Sequence, residues 1–441
     1  MIVHYIIKNL IHNCLPATQH REVDFMPKFI HAADIHLDSP LLKLAYYDGA
    51  PVEAIRNATR KALENLVNLA IAESVDFMLI AGDLYDSDWK DYNTGLFFVS
   101  QMARLREYGV RVLIVSGNHD AGSRMTRSLR LPDNVHFFST ESPESVILEH
   151  IGVAVHGQGF SNPYVKIDLS ACYPAPVPHF INIGMLHTSA TGRPGHEPYA
   201  PCTREGLVNM GYDYWALGHI HQREILSQIP LIVFPGNIQG RHIRETGPKG
   251  CIVVQTDPSI SAIFQSCDVI RWELVAMKGE NSLTDLMDQT ETTLIELCRQ
   301  HRGIPLIIRL KISAGTILWQ KIHQNFDQFK NDLRSLSIDV SGGQIWIQDI
   351  HTIRLSHDEN LKQGHGTDPL GELHQMFREL EMDSNQILTY SHLLDDLITR
   401  LPRELREGPD AIRPNDPEWL SAAINEVESM LTARLLTKNH P

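Results

Sequence analysis

Short apolar runs and stretches of helical period take turns along the chain from Met26 onward. The segment Lys28-Phe-Ile-His-Ala-Ala reads as a buried strand. Behind it Ile55, Thr59, Ala62, Leu63, Leu66, Leu69 and Ala70 fall on one face of a helix. The cycle repeats as the strand Asp76-Phe-Met-Leu-Ile-Ala-Gly82, a helix from about Gly95 to Tyr108, and the strand Val110-Arg-Val-Leu-Ile-Val-Ser116. Apolar strands alternating with helices indicate an α/β sheet covered on both faces. From about Val135 the pattern turns β-rich, with short strands near 146–148, 153–156, 180–186, 214–217, 230–234 and 250–254, then a strand pair through Ile263 and Ile270–Ala276.

A polar break, Lys278-Gly-Glu-Asn, marks the expected end of this domain, which spans 26–277. A small α/β cap is expected over 278–355: helix Leu283–Arg299, strand Ile304–Ile312, helix Ile317–Leu336 and strand Ile345–Leu355. The remainder, 356–441, carries 8 basic and 16 acidic side chains, a balance of −8. It reads as acidic amphipathic helices split at Pro402 and Pro414, with apolar faces through Ile387, Leu393, Leu394, Leu397, Ile424, Val427 and Leu431. Residues 1–25 have neither period and are expected to lie outside the fold, with Met26 an alternative start. His4, Lys8, His12 and Asn13 interrupt the first fifteen residues, which read as neither signal nor anchor.

Composition narrows the function. The 441 residues favour two or three domains, and 43% hydrophobic with 21% charged residues is ordinary for a globular chain. With 39 Lys and Arg against 53 Asp and Glu, the net charge of −14 excludes a histone-like coat on DNA. Any polyanion has to be gripped by a local site, by metal ions or by a partner. Six scattered cysteines without a C-x-x-C pair argue against a zinc ribbon or a disulfide framework and point to a reducing cytoplasm. No window is apolar and long enough for a membrane helix, so no membrane association is expected.

The 23 histidines direct attention to metal chemistry. Asp34-Ile-His36, Gly82-Asp83, Gly117-Asn-His-Asp120, His187 and Gly218-His-Ile-His221 each follow an apolar strand, where the loops of α/β sheets gather ligands. Each has an ordinary reading alone: Gly-Asp as a turn, Gly-Asn-His-Asp as a capped loop, two strand histidines facing solvent. Together and in this order they supply what a pair of divalent cations needs: a bridging carboxylate and N and O donors on either side. Asp83 is the natural bridge. Asp34, His36 and His221 can complete one ion, and Asn118, His187 and His219 the other.

These motifs resemble those of the calcineurin-like metallophosphoesterase superfamily, from about Lys28 to Val275. Ala33-Asp-Ile-His-Leu-Asp-Ser-Pro, Gly195-His-Glu-Pro-Tyr-Ala-Pro-Cys, Gly211-Tyr-Asp-Tyr-Trp-Ala-Leu-Gly-His-Ile-His and Phe234-Pro-Gly-Asn-Ile-Gln-Gly-Arg-His-Ile-Arg-Glu-Thr-Gly-Pro-Lys-Gly are most similar to SbcD-type DNA repair exonucleases and the bacterial YhaO group. The resemblance implies a two-sheet sandwich flanked by helices, two Mn²⁺-type ions, a cap, and an SMC-like coiled-coil ATPase as partner. Some archaeal and eukaryotic relatives carry a histidine three residues after the bridging Asp. Here Asp86 stands in that place, which leaves His119 as the group to protonate the leaving oxygen, with Asp120 orienting its ring. Arg241 and Arg244, with Lys249, and Arg124 in the Arg124-Arg127-Arg130 series are candidates to hold substrate phosphates; His196 and Tyr199 are further candidates, and Trp215 reads as core.

The expected activity is two-metal hydrolysis of a DNA phosphodiester. Two other readings share much of this: a phosphodiesterase or phosphatase acting on a small nucleotide or phosphoprotein, and a chiefly structural subunit of the ATPase. A scaffold, however, has no need of seven converging ligands. The sequence leaves oligomeric state open, a homodimer included.

Overall fold

The computed structural model describes residues 26–39, 52–86, 92–122, 129–190, 199–256, 259–279 and 282–355, and scattered residues between 371 and 431. Along the chain β1 (Lys28–Ala32) leads through α1 (Val52–Arg56) and α2 (Ala58–Ala72) to β2 (Phe77–Ala81), α3 (Tyr92–Glu107), β3 (Arg111–Val115) and β4 (Val135–Phe137). Then come β5 (Glu144–Leu148), β6 (Val153–Gly157), β7 (Ile181–His187), α4 (Arg204–Asn209), β8 (Tyr214–Gly218), β9 (Glu224–Gln228), β10 (Leu231–Phe234), β11 (Gly250–Gln255) and β12 (Ser261–Ser266). These strands form two six-stranded sheets, β12-β11-β1-β2-β3-β4 and β5-β6-β7-β8-β10-β9.

Side-chain alternation builds the layers. Phe77 and Leu79 of β2 meet Ile183, Met185, Tyr214 and Ala216 between the sheets. Their neighbours Met78 and Ile80 face Ala62, Leu63, Leu66, Phe98 and Met102 of α2 and α3. On the far side Trp215 and Leu217 of β8 pack with Leu207, Tyr212 and Tyr173. Trp215 is wholly buried. The central strands therefore read as continuous apolar runs because both of their faces are covered.

The cap differs from expectation in two respects. β13 (Arg271–Gly279) pairs in parallel along its whole length with β14 (Leu306–Gly315), which in turn pairs with β15 (Ile345–Leu355). The strand through Ile270–Ala276 thus belongs to the cap sheet, and the change of sheet falls between Ser266 and Arg271 rather than at Lys278. Lys278 and Gly279 of the polar break are the last residues of β13, and at the start of α5 (Leu283–Gln300) Ser282 caps the helix by accepting from the Asp285 amide. The single helix expected over 317–336 is two, α6 (Thr316–Gln324) and α7 (Phe326–Ser341), broken where Asn325 leaves helical geometry at φ −146°. Residues 1–25 and most of the tail, including Ile387, Leu393, Leu397 and Pro402, lie outside the described residues.

Candidate metal centre

The parallel strands β1, β2 and β3 of one sheet and β7 and β8 of the other deliver their carboxyl ends to one place. The loops after β1 and β2 are zipped together by the amides of Asp34, His36 and Leu37 donating to the carbonyls of Gly82, Asp83 and Leu84. Asp34, His36, Asp83 and His219 all take up left-handed backbone, at φ 51°, 44°, 51° and 101°. Such conformations cost of order 1–3 kcal/mol each and are kept where surroundings enforce them. Two small residues make the convergence possible. A Cβ on Gly82, itself at φ +90°, would lie 2.2 Å from the His187 ring, and one on Gly117 would lie 2.3 Å from the Asp83 carboxylate.

Asp34, His36 and His221 each bring one donor atom to within 4.8 Å of the others, and Asp83, His187 and His219 do the same. Asp83 lies between the groups: its Oδ2 is 3.8 Å from His36 Nε2 and 3.4 Å from His187 Nε2. His36 Nε2 and His221 Nε2 are 3.2 Å apart, and Asn118 Oδ1 is 3.0 Å from His187 Nε2. Donors bound at about 2.1 Å in near-tetrahedral or octahedral order stand ~3–3.4 Å from one another, so these spacings fit shared cations.

The opposite ring nitrogens are tied down. His187 Nδ1 is 3.0 Å from the Ala81 carbonyl, His36 Nδ1 2.7 Å from Asp86 Oδ1, and His221 Nδ1 2.7 Å from Glu245 Oε1. Each contact aims Nε2 at the centre, as outer partners of metal-bound histidines do. Asp34 is further oriented by the His219 amide, which donates to both its oxygens at 3.0 Å.

The electrostatics ask for positive charge. Burial raises Asp34 above the ordinary carboxylate value, with Asp83 adding to the rise. Burial also opposes charge on Asp83, but His187, His36 and His119 hold it well below the usual range. Burial would lower His187, yet Asp83 and Asp34 push it up to about 9, so a proton held there meets part of the demand of two buried carboxylates. His36 is lowered to about 4, chiefly by burial, and so presents a neutral imidazole. Buried carboxylates beside the neutral His36 imidazole, with His187 holding a proton that a cation would displace, fit divalent cations. Asp34, His36 and His221 would hold one ion, Asn118, His187 and His219 the other, with Asp83 between them.

His119 stands at the open side of this group, its side chain 41% exposed and its Nδ1 3.1 Å from Asp86 Oδ1. Its backbone amide donates to Asp83 Oδ1 at 2.9 Å. Burial works against the charged ring, but Asp86 and Asp83 raise His119 above its ordinary value. The expectation that Asp120 orients this ring needs correction. The buried Asp120 carboxylate accepts from the amides of Leu84, Tyr85 and Gly117 and so fastens the loops after β2 and β3. The contact to the ring comes from Asp86, which serves both His36 and His119.

Of the basic residues, Arg241 reaches the site. Its Nη1 is 3.9 Å from Asp86 Oδ2 and donates to Ser39 Oγ at 3.3 Å, and its Nη2 is 3.2 Å from Glu245 Oε1. Arg244 is exposed on the same loop. Lys249 Nζ donates to the His221 carbonyl at 2.8 Å rather than facing a substrate. Arg124, Arg127 and His196 lie outside the described residues. The Tyr199 ring sits edge-on to His219 at 5.2 Å. Glu245 has a single signal in the sequence, a lone acid inside the Gly240–Gly247 stretch.

Comparison with known proteins agrees with this geometry. The family described as calcineurin-like phosphoesterase matches residues 27–223, and that described as metallophosphoesterase YhaO, middle domain, matches 272–353. The chain is 36% identical over 298 residues to a Bacillus subtilis (strain 168) protein named "Uncharacterized metallophosphoesterase YhaO", covering 66% of this chain and 72% of that one. It is 24% identical over 211 residues to the "DNA double-strand break repair protein Mre11" of Methanopyrus kandleri, 44% of either chain. The protein of that name from Saccharolobus solfataricus is 26% identical over 213 residues, 46% of this chain and 51% of that one. The chain thus spans about half of these archaeal relatives. With strand-end loops that assemble two donor groups around one aspartate, and with a middle domain of the YhaO kind behind them, the chain belongs to the calcineurin-like phosphoesterase family, and it is a metal-dependent hydrolase.

Proposed function

We propose that the protein hydrolyses phosphodiester bonds of DNA with two Mn²⁺ ions, in the manner of an SbcD-like exonuclease that processes ends for repair. The observation that carries this reading is the Asp83 oxygen flanked by His36 and His187, with the partly open His119 beside it. Two divalent cations held there would supply charge neutralisation at the phosphoryl oxygens and a water of lowered pKa. The mixture of imidazole, carboxylate and amide oxygen donors suits Mn²⁺. His119 Nδ1 is engaged by Asp86, which leaves Nε2 to pass a proton to the departing oxygen. Arg241, pinned by Ser39, Asp86 and Glu245, adds fixed positive charge close to the scissile phosphate. The names of the archaeal relatives support a DNA substrate.

The net charge of −14 asks that DNA be brought by a partner. The proposed partner is an SMC-like coiled-coil ATPase met by the acidic tail, 356–441. A cytoplasmic location accords with the absence of disulfides among the described cysteines Cys172, Cys202, Cys251, Cys267 and Cys298. None of the described helices is long and apolar enough to cross a membrane.

The test is turnover with Mn²⁺ of end-labelled duplex DNA, of a chromogenic diester, and of mononucleotides and a phosphopeptide. Release of nucleotides from DNA ends supports the proposal. Turnover of the nucleotides or the peptide with intact DNA would replace it by the small-substrate reading. Truncation at Ser356 should keep diester hydrolysis and lose capture of the ATPase.

A further inference from the structure

His187 is oriented by a backbone carbonyl of β2 and His36 by Asp86, both within the strand-end motifs. His221 is oriented from elsewhere. The segment 237–247 returns past the site and presents Glu245, whose side chain is only 5% exposed. Its Oε1 receives His221 Nδ1 at 2.7 Å and Arg241 Nη2 at 3.2 Å. Its Oε2 receives the Arg241 amide at 2.7 Å and Asn237 Nδ2 at 3.0 Å. All four donors converge on one carboxylate.

The segment is fastened on its far side to the entry of the cap. Trp272 Nε1 donates to the Gly240 carbonyl at 3.0 Å, and the Gly247 amide donates to the Trp272 carbonyl at 3.0 Å. Gln239 Nε2 donates to the Ile270 carbonyl at 2.7 Å, while its Oε1 accepts from the Val269 amide at 2.9 Å. Trp272 is buried with Ile55 and Ala58 from the large domain and Ile307 from β14. The carboxylate that meets His221 is therefore held by a loop braced between the sandwich and the cap.

We propose that Glu245 is a positioning residue of the metal centre: braced by the cap entry, it fixes the His221 ring so that Nε2 faces His36 and Asp34, and so sets the affinity of that one ion. This rests on the reading of the site as a two-ion centre. Glutamine cannot replace it, because one amide oxygen cannot accept from four converging donors. Loss of such an outer partner typically costs about 10–100-fold in metal affinity.

The experiment is Mn²⁺ titration of the full-length protein by calorimetry, with wild type, Glu245→Gln, His221→Ala and His187→Ala. Glu245→Gln should weaken one of the two binding constants by about 10–100-fold and leave the other within about threefold. The affected constant should be the one His221→Ala weakens, not the one His187→Ala weakens. A merely structural role would shift both constants together or neither, and either result overturns the inference. If Glu245→Gln does not fold, Glu245→Asp carries the same comparison, since it keeps two oxygens for the loop donors one methylene further from the ring. Wild type that takes up no Mn²⁺ would overturn the two-ion reading and this inference with it. Two ions bound equally well by wild type and variant would overturn this inference alone.

Discussion

In the loops at the strand ends, Asp34, His36, Asp83 and His219 hold left-handed backbone and bury their polar or charged groups together. In the cap, from Arg271 to Leu355, the only described residues with positive φ are glycines. There Leu294, Leu310, Ile312, Leu318 and Leu333 fill an apolar layer between helices and sheet. The cap obeys local preference and packing throughout. The strand-end loops break both, and the large sheets enforce the breach through Asp120 and the amide contacts between the loops. The difference separates what can be lost with the fold intact from what cannot. Removing a ligand relieves buried charge, whereas removing cap volume leaves a hole.

The largest effect should come from Asp83→Ala. Its carboxylate stands between both donor groups, so diester hydrolysis with Mn²⁺ should fall to background in a steady-state assay while far-UV circular dichroism keeps the wild-type form. Activity near wild type would remove Asp83 from the centre. His119→Ala should cost less, ~10²–10⁴-fold in kcat, because a proton donor is lost and the donors around it remain. Metal content should be unchanged, and loss of an ion would show His119 to be a ligand.

The cap should answer in the opposite sense. Leu333 is wholly buried among Leu294, Phe329 and Ile347, so Leu333→Ala should cost about 2–5 kcal/mol in urea unfolding. The Mn²⁺ affinity of the folded protein should stay as it was. A loss of affinity with little loss of stability would show that the cap core shapes the centre directly.

The smallest effect concerns His31, buried in β1 with Nδ1 2.9 Å from Tyr214 Oη and Nε2 3.2 Å from the Leu217 carbonyl. Burial lowers it from its ordinary 6.5 to about 3. The unfolded chain takes up a proton at this ring before the folded one does. Its contribution is therefore present above pH 6.5 and is lost as pH falls from there towards about 3. The stability advantage of wild type over His31→Gln should shrink by ~2 kcal/mol between pH 7 and pH 5. An advantage that is constant with pH would show that the ring titrates alike in the folded and unfolded chain, and one that grows as pH falls would show that the fold holds its proton.

Much of the centre was legible because its residues sit in short motifs after apolar strands, and strand ends are where parallel sheets expose their loops. Glu245 was not legible, since an isolated acid in a glycine-rich loop gives no sign of which histidine it will meet. Asp86 was visible as a residue, but its pairing with both His36 and His119 depends on the approach of the loops after β1 and β3. Asp120 is adjacent to His119 in sequence, yet its oxygens are taken by three amides. The segment Ile270–Ala276 reads as a strand, but periodicity does not tell which sheet a strand joins, and the register of Arg271–Gly279 with 306–315 decides that. The helix break at Asn325 escaped for a similar reason, because the apolar period runs across it almost unbroken.

The central claim is that Asp83 joins two ions. Metal analysis of the Mn²⁺-reconstituted protein after gel filtration tests it most directly, with wild type and Asp83→Ala side by side. The account predicts two Mn²⁺ per wild-type chain and loss of both in the variant. One ion per wild-type chain, or two retained by Asp83→Ala, would contradict it.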